Sequence, residues 1–173
     1  LCGNIMFSGV IGAATLTMAW FVQPFLIELD TPTSWFGVIW TVLNLTVGLA
    51  ALCSDKLDQR LGTRRMYVLI LLFIVGGYVA LSFSLTAGGL LVLLLFYVAR
   101  GFATPVLKGY INQITFSEMR ATVLSIRNFV IRLIFAAIAP LVGWLHDAFS
   151  LATALRATAA IILVPGLIFL LLE

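Results

Sequence analysis

Hydrophobic positions run almost unbroken through six stretches of this chain, about Gly3–Ile27, Phe36–Ser54, Met66–Thr86, Gly89–Asn112, Ala121–Leu145 and Ser150–Leu172. Crossing a hydrocarbon core of about 30 Å takes roughly 20 residues of helix, and each stretch is long enough. Backbone polar groups in lipid must be satisfied within the spanning element, so runs of this length predict helices rather than barrel strands. Most of each stretch is apolar all round, unlike the one-sided stripe of a soluble helix. The expected fold class is all-α: a polytopic membrane protein with six transmembrane helices.

Two boundaries follow from length. Met66–Ala99 carries no charge and is too long for one helix, and a break at Ala87-Gly88-Gly89 divides it into two spans. Leu133–Leu145 alone would cover only about 20 Å at 1.5 Å per residue, so the fifth span must begin near Ala121. Both choices place an arginine, Arg100 or Arg132, near the middle of a span.

Composition agrees with a membrane location. The chain is 62% hydrophobic and 10% charged, against about 25% charged residues in a soluble domain. The net charge of +3 matters less than its placement. The connection Asp55–Arg65 holds Lys56, Arg60, Arg64 and Arg65; the connection Gln113–Arg120 holds Arg120, with Lys108 and Arg127 on the flanking helix ends. The connections Glu28–Ser34, Leu85–Gly88 and His146–Phe149 hold no Lys or Arg. The positive-inside rule makes the first set cytoplasmic, and both termini with it. The expected location is the cell membrane, plasma or inner. No basic run with interleaved aromatics points to nucleic acid. Cys2 and Cys53 have no metal-ligand spacing and read as apolar packing residues; no cofactor or metal is implied. The start at Leu1, with Cys2 almost inside the first span, leaves no room for a basic leader and is read as a fragment of something longer.

Arginine at the centre of a spanning helix costs about 2.5–3.5 kcal/mol on insertion scales, so Arg100 and Arg132 call for a wet cavity, an anionic partner or both. Arg127 and Arg156 lie closer to helix ends and are read as interfacial anchors. Polar neighbours recur at helical spacing: Tyr97, Arg100, Thr104, Lys108 and Asn112 on the fourth span, and Ser125, Asn128 and Arg132 on the fifth. Trp40, Thr41 and Asn44 cluster on the second span, and Asn4, Ser8, Gly12, Thr15 and Gln23 form a small or polar stripe on the first. For Ser8, Gly12 and Thr15 close helix–helix contact is the main expectation. The third and sixth spans have almost no polar residue at mid-depth. Four helices are therefore expected to face a cavity and two to face lipid. Pro105, one turn beyond Arg100, is the candidate hinge among Pro24, Pro105, Pro140 and Pro165.

Spans one to three and four to six repeat this order upside down, as an odd-numbered repeat must. The segment from Ser54 to Arg65 carries an Asp, a basic residue, a Gly and a basic pair, with Asp55, Gly62, Arg64 and Arg65 as the matching positions. The run Ser117-Glu118-Met119-Arg120-Ala121-Thr122-Val123-Leu124-Ser125 and the mid-helix pair Arg100-Gly101 complete the pattern. Together these features resemble the C-terminal six-helix half of a major facilitator superfamily transporter of bacterial type, over the whole chain. The resemblance implies two inverted three-helix repeats corresponding to spans seven to twelve, with an N-terminal six-helix half as partner. It also implies secondary active transport of a small solute across the bilayer by alternating access. Asp55, Gly62, Arg64 and Arg65 would form the cytoplasmic gating loop. Arg100 and Arg132 would supply positive charge or bidentate donors to an anionic group. Asn128, Tyr97, Thr104, Asn44, Thr41 and Trp40 would shape the site.

Glu28, Asp30, His146 and Asp147 fall at the outer edge, and Asp55, Asp58 and Glu118 at the inner edge, so a coupling carboxylate is expected in the other half. A six-span half-transporter or channel-like subunit working as a homodimer is the alternative. A channel would need a filter segment, a pump permease an ATPase partner, and an enzyme a catalytic constellation. The single His, beside Asp147, is read as a helix end; an enzyme is not expected.

Overall fold

The computed structural model describes residues 1–171, so the sixth span's expected end at Leu172 lies outside the described residues. Seven α-helices follow one another: α1 Cys2–Glu28, α2 Thr33–Leu52, α3 Ser54–Leu61, α4 Thr63–Phe83, α5 Gly89–Gln113, α6 Arg120–Ala148 and α7 Leu151–Leu171. Six of them, all but α3, are long and apolar enough to cross a membrane. The protein is thus an all-α polytopic membrane protein.

Helix ends fall where the chain chemistry changes. After α1, Asp30 takes a left-handed φ of 50° and Pro32 leads into α2. The long uncharged run is interrupted between Phe83 and Gly89, as its length required. The basic connection is itself helical: in α3, Leu57 and Leu61, one turn apart, pack against the core, while Asp55, Lys56, Gln59 and Arg60 are exposed. Gly62 ends α3 at φ 76° and ψ 160°, a region open essentially to glycine alone. Pro24, Pro105, Pro140 and Pro165 all lie inside helices that continue through them. Hydroxyls in the apolar setting turn back on their own helix: Thr17, Thr46 and Thr158 each donate to the carbonyl four residues earlier, at 2.8–2.9 Å.

Packing follows a pairwise exchange. α2 lies along α5 as α6 lies along α1; α4 lies against α5 as α7 lies against α1; α4 and α7 pack on each other. Exchanging α1 with α5, α2 with α6 and α4 with α7 maps this set of contacts onto itself, the relation expected of two three-helix repeats. The exchange is incomplete: α6 also packs on α7, α5 on α6 and α1 on α4, without comparable packing between α2 and α4, α1 and α2, or α5 and α7.

Glycines set the closest approaches. A Cβ on Gly101 would meet the Val47 carbonyl oxygen at 2.6 Å and Ala50 Cβ at 2.7 Å, so α2 and α5 touch backbone to backbone there. On the α1–α6 pair, Cβ atoms on Gly9 and Gly12 would meet Val130 at 2.6 Å and Ile131 at 2.5 Å. The small stripe of α1 is thus a packing surface in its N-terminal half, as expected for small residues between membrane helices. Tyr78 seals the centre: it is fully buried and donates to the Ala14 carbonyl oxygen at 2.6 Å, joining α4 to α1.

Candidate functional site

α2 and α6 flank the bundle and are its least covered spans. At 100° per residue each has three faces. On α2, Phe36, Leu43, Val47 and Ala50 turn inward; Gly37, Thr41, Asn44 and Gly48 form an exposed small and polar stripe; Val38, Val42, Leu45 and Leu49 form an exposed apolar stripe. On α6, Val123, Ile134 and Val142 turn inward; Ser125, Asn128, Arg132 and Ala136 form the exposed small and polar stripe; Ile126, Phe129, Leu133 and Trp144 form the apolar one. Going round each helix in the same sense, the order is core, polar, apolar. The exchange that relates the two repeats therefore also relates their polar stripes.

Of the residues expected at a site, three meet directly. The Trp40 ring on α2 approaches the Tyr97 ring on α5 edge-on, with centroids 6.5 Å apart. The Arg100 guanidinium carbon lies 5.4 Å from the Tyr97 ring centroid, within cation–π range. Tyr97 is 0% exposed, and its hydroxyl has no hydrogen-bond partner among the described residues. The Arg100 guanidinium is the charged group beside it. Thr104, exposed one turn beyond Arg100, donates to the Arg100 carbonyl oxygen at 3.4 Å. Thr41 and Asn44 are exposed and donate at 2.8 Å to the carbonyls of Gly37 and Trp40, respectively. Trp40 also borders a small cavity with Ala19, Trp20 and Gln23, which brings the C-terminal half of α1 to the edge of the α2 polar stripe.

The other expected pair sits apart, on α6. Arg132 and Asn128 are exposed, and Arg132 makes no hydrogen bond or ion pair among the described residues. Asn128 accepts a hydrogen bond of 3.3 Å from Arg127 Nη1.

Arg127 corrects the sequence reading. Its place near a helix end marked it as an anchor reaching the headgroups; it is instead 4% exposed, and its Nε donates to the Ser8 hydroxyl of α1. Distance from the end was the wrong guide and helical phase the right one: Val130, Ile131 and Ile134, three, four and seven residues on, all lie against the α1 glycines. Arg156 stays exposed near the opposite edge, with Nε 3.2 Å from Ser82 Oγ and its guanidinium 4.5 Å from the Phe83 ring centroid. It pins α7 to the end of α4.

Charge is one-sided at depth. Arg100, Arg127 and Arg132 lie well inside long helices, while Glu28 and Asp147 are the only carboxylates in those helices and sit at their ends. The single ion pair among the described residues is His146–Asp147 at 3.5 Å, in the last turn of α6. No group of His, Cys, Asp or Glu suited to a metal occurs among the described residues.

The sequence-predicted gating positions cluster around the α3–α4 turn. Asp55 occupies the first turn of α3, Gly62 its end, and Arg64 and Arg65 the start of α4. Asp55, Arg64 and Arg65 are exposed and form no ion pair among the described residues. A neighbouring carboxylate is engaged instead: Tyr110 of α5 donates to Asp58 Oδ1 at 3.2 Å. Behind it the Tyr67 ring meets Tyr110 edge-on and stacks on Phe7, and Tyr67 donates to Asn4 Oδ1. This chain ties α3, α5, α4 and α1 together on the side of the basic connections. Comparison with protein-family models, curated proteins and solved structures gave no match.

Proposed function

We propose that this chain is one six-helix bundle of a secondary carrier that moves a small anionic solute by alternating access. The observation that carries the reading is the pair of exchange-related polar stripes on α2 and α6. Groups such as Asn44, Asn128 and Arg132 are unfavourable against lipid, and the core lies on another side of each helix. A second bundle across a water-filled passage would give both stripes an aqueous or polar partner, with the solute site between the bundles near mid-depth. The resemblance to major facilitator transporters supplies that partner: an N-terminal six-helix half. Both termini would lie in the cytoplasm, with the membrane being the plasma or inner membrane.

In this arrangement Arg100, held beside Tyr97 and Trp40, presents a fixed guanidinium to the passage. The Tyr97 hydroxyl donates to the solute once the ring is uncovered. Arg132 adds positive potential from the opposite flank, and Thr41, Asn44, Thr104 and Asn128 offer neutral donors and acceptors. Three deep cations without a deep carboxylate favour an anionic solute, carboxylates on the facing bundle, or both in turn. Arginine keeps its proton, so proton coupling would use a carboxylate of the facing half.

The test is counterflow uptake of organic anions by the intact protein in liposomes, with Arg100→Ala and Arg132→Ala compared at equal protein levels. Each substitution should reduce saturable anion uptake by at least about tenfold, the loss of one charge-assisted contact. Wild-type uptake by both variants would remove the cavity assignment.

A further inference from the structure

The tight contact at Gly101 is the apex of a wedge. From there toward the edge opposite the basic connections α2 and α5 part, and a cavity of about 620 Å³ opens between them. Ile39 and Leu43 of α2 and Leu90 and Leu94 of α5, buried or half-buried, line its more covered side. Trp35, Val38 and Val42 form its near wall; they are exposed, and Val38 and Val42 belong to the apolar stripe of α2. The cavity therefore opens on the lipid-compatible side of the helix. Trp40 and Tyr97, which meet on the other side of the contact, are not among its walls.

The mouth has a different chemistry. Asp30 and Thr31 stand there, followed by Pro32 and the Trp35 indole. Asp30 is exposed, Glu28 is exposed two residues before it, and the connections at this edge contain no Lys or Arg. From Trp35 to Leu43 the lining follows about 12 Å of helix, approaching half of a hydrocarbon core of about 30 Å. Trp35 sits where indoles favour the headgroup level. Depth, apolar lining and the single carboxylate of Asp30 describe one ligand chemistry: an apolar tail about as long as one leaflet, carrying a cationic head.

We propose that this cleft binds one aminophospholipid from the leaflet opposite the basic connections. Its ammonium group donates to the Asp30 carboxylate, and one acyl chain lies along Val38, Val42 and Leu94. An anionic head would be repelled by Asp30 and Glu28, and a trimethylated head has no N–H to donate. A facing protein bundle meets the polar stripe of α2, which lies on another side of the helix, and so does not compete for the cleft.

The test is native mass spectrometry of the full chain, purified in detergent and titrated with phosphatidylethanolamine, phosphatidylcholine or phosphatidylglycerol of identical acyl chains. The wild type should retain one phosphatidylethanolamine in preference to the other two. Asp30→Asn keeps a residue type that tolerates the left-handed φ of this position and should reduce retention about tenfold, the loss of one charge-assisted hydrogen bond. Val42→Trp, which fills the cleft with Asp30 intact, should reduce it at least as far, while unfolding temperatures stay at the wild-type value. Equal retention of all three lipids, or unchanged retention in both variants, overturns the proposal. So does cross-linking of Val38→Cys to a second protein segment in native membranes.

Discussion

Gly101→Ala tests how the two helices that carry Trp40, Tyr97 and Arg100 are held together. The added Cβ would lie 2.6 Å from the Val47 carbonyl oxygen, 2.7 Å from Ala50 Cβ and 3.1 Å from Val47 Cα. Two of these three are backbone atoms, so no side-chain rotation relieves the clash. Restoring ordinary contact would move α2 away by about 0.8 Å, enough to open a close-packed seam. Overpacking of this kind costs about 1–3 kcal/mol. Replacing a helical glycine by alanine returns about 1 kcal/mol. The net expectation is a destabilisation of up to about 2 kcal/mol. Gly76→Ala is the control, because nothing lies within 4 Å of the added Cβ and only the helix-propensity gain remains. Thermal unfolding of the purified protein in one detergent should place Gly101→Ala below the wild type and Gly76→Ala at or above it. Coincident unfolding of the two variants would refute the backbone contact between α2 and α5, and with it the placing of Trp40 against Tyr97.

The remaining predictions use the same material. Ser8→Ala leaves the buried Arg127 Nε without its acceptor and should lower stability by about 1–3 kcal/mol. Arg127→Met exchanges a desolvated cation for an apolar side chain and should be tolerated better, so the order of the two unfolding temperatures is the readout. Gly62→Ala should cost about 1–3 kcal/mol, because φ 76° with ψ 160° is closed to alanine; Gly109→Ala, with open space around its Cβ, should cost nothing. After Cys2 and Cys53, both exposed, are replaced by serine, Asn44→Cys and Asn128→Cys should react with a membrane-impermeant maleimide in the intact protein. Leu45→Cys and Phe129→Cys, on the neighbouring apolar stripes, should not, and equal labelling of the four would exclude the aqueous passage.

Much of the bundle could be read from residue order. Bilayer thickness constrains span length, which is why the start at Gly89 agrees and the start expected near Ala121 falls one residue from the observed Arg120, while the third span ends at Phe83, three residues before the expected Thr86. The polar faces of α2, α5 and α6 were visible as spacings of three and four. Helical character in Ser54–Leu61 was not recognised, because eight residues rich in charge resemble a loop unless Leu57 and Leu61 are seen as one inward edge. Arg127 was misplaced because reach to the headgroups was weighed before phase. Its contact with Ser8 depends on which helices become neighbours, a tertiary fact that no local pattern contains. The same holds for Trp40 and Tyr97, separated by more than fifty residues and joined only because glycine at position 101 admits α2.

Arg100, Arg127 and Arg132 have an electrical consequence as well as a chemical one. A unit charge carried across the whole transmembrane voltage changes energy by about 2.3 kcal/mol per 100 mV. If the bundle rocks so that each guanidinium crosses even a tenth of that drop, the three together contribute about 0.7 kcal/mol per 100 mV to the balance between its two orientations. The resting polarity of the cell would then bias which way the passage opens, even when the cargo itself carries no net charge.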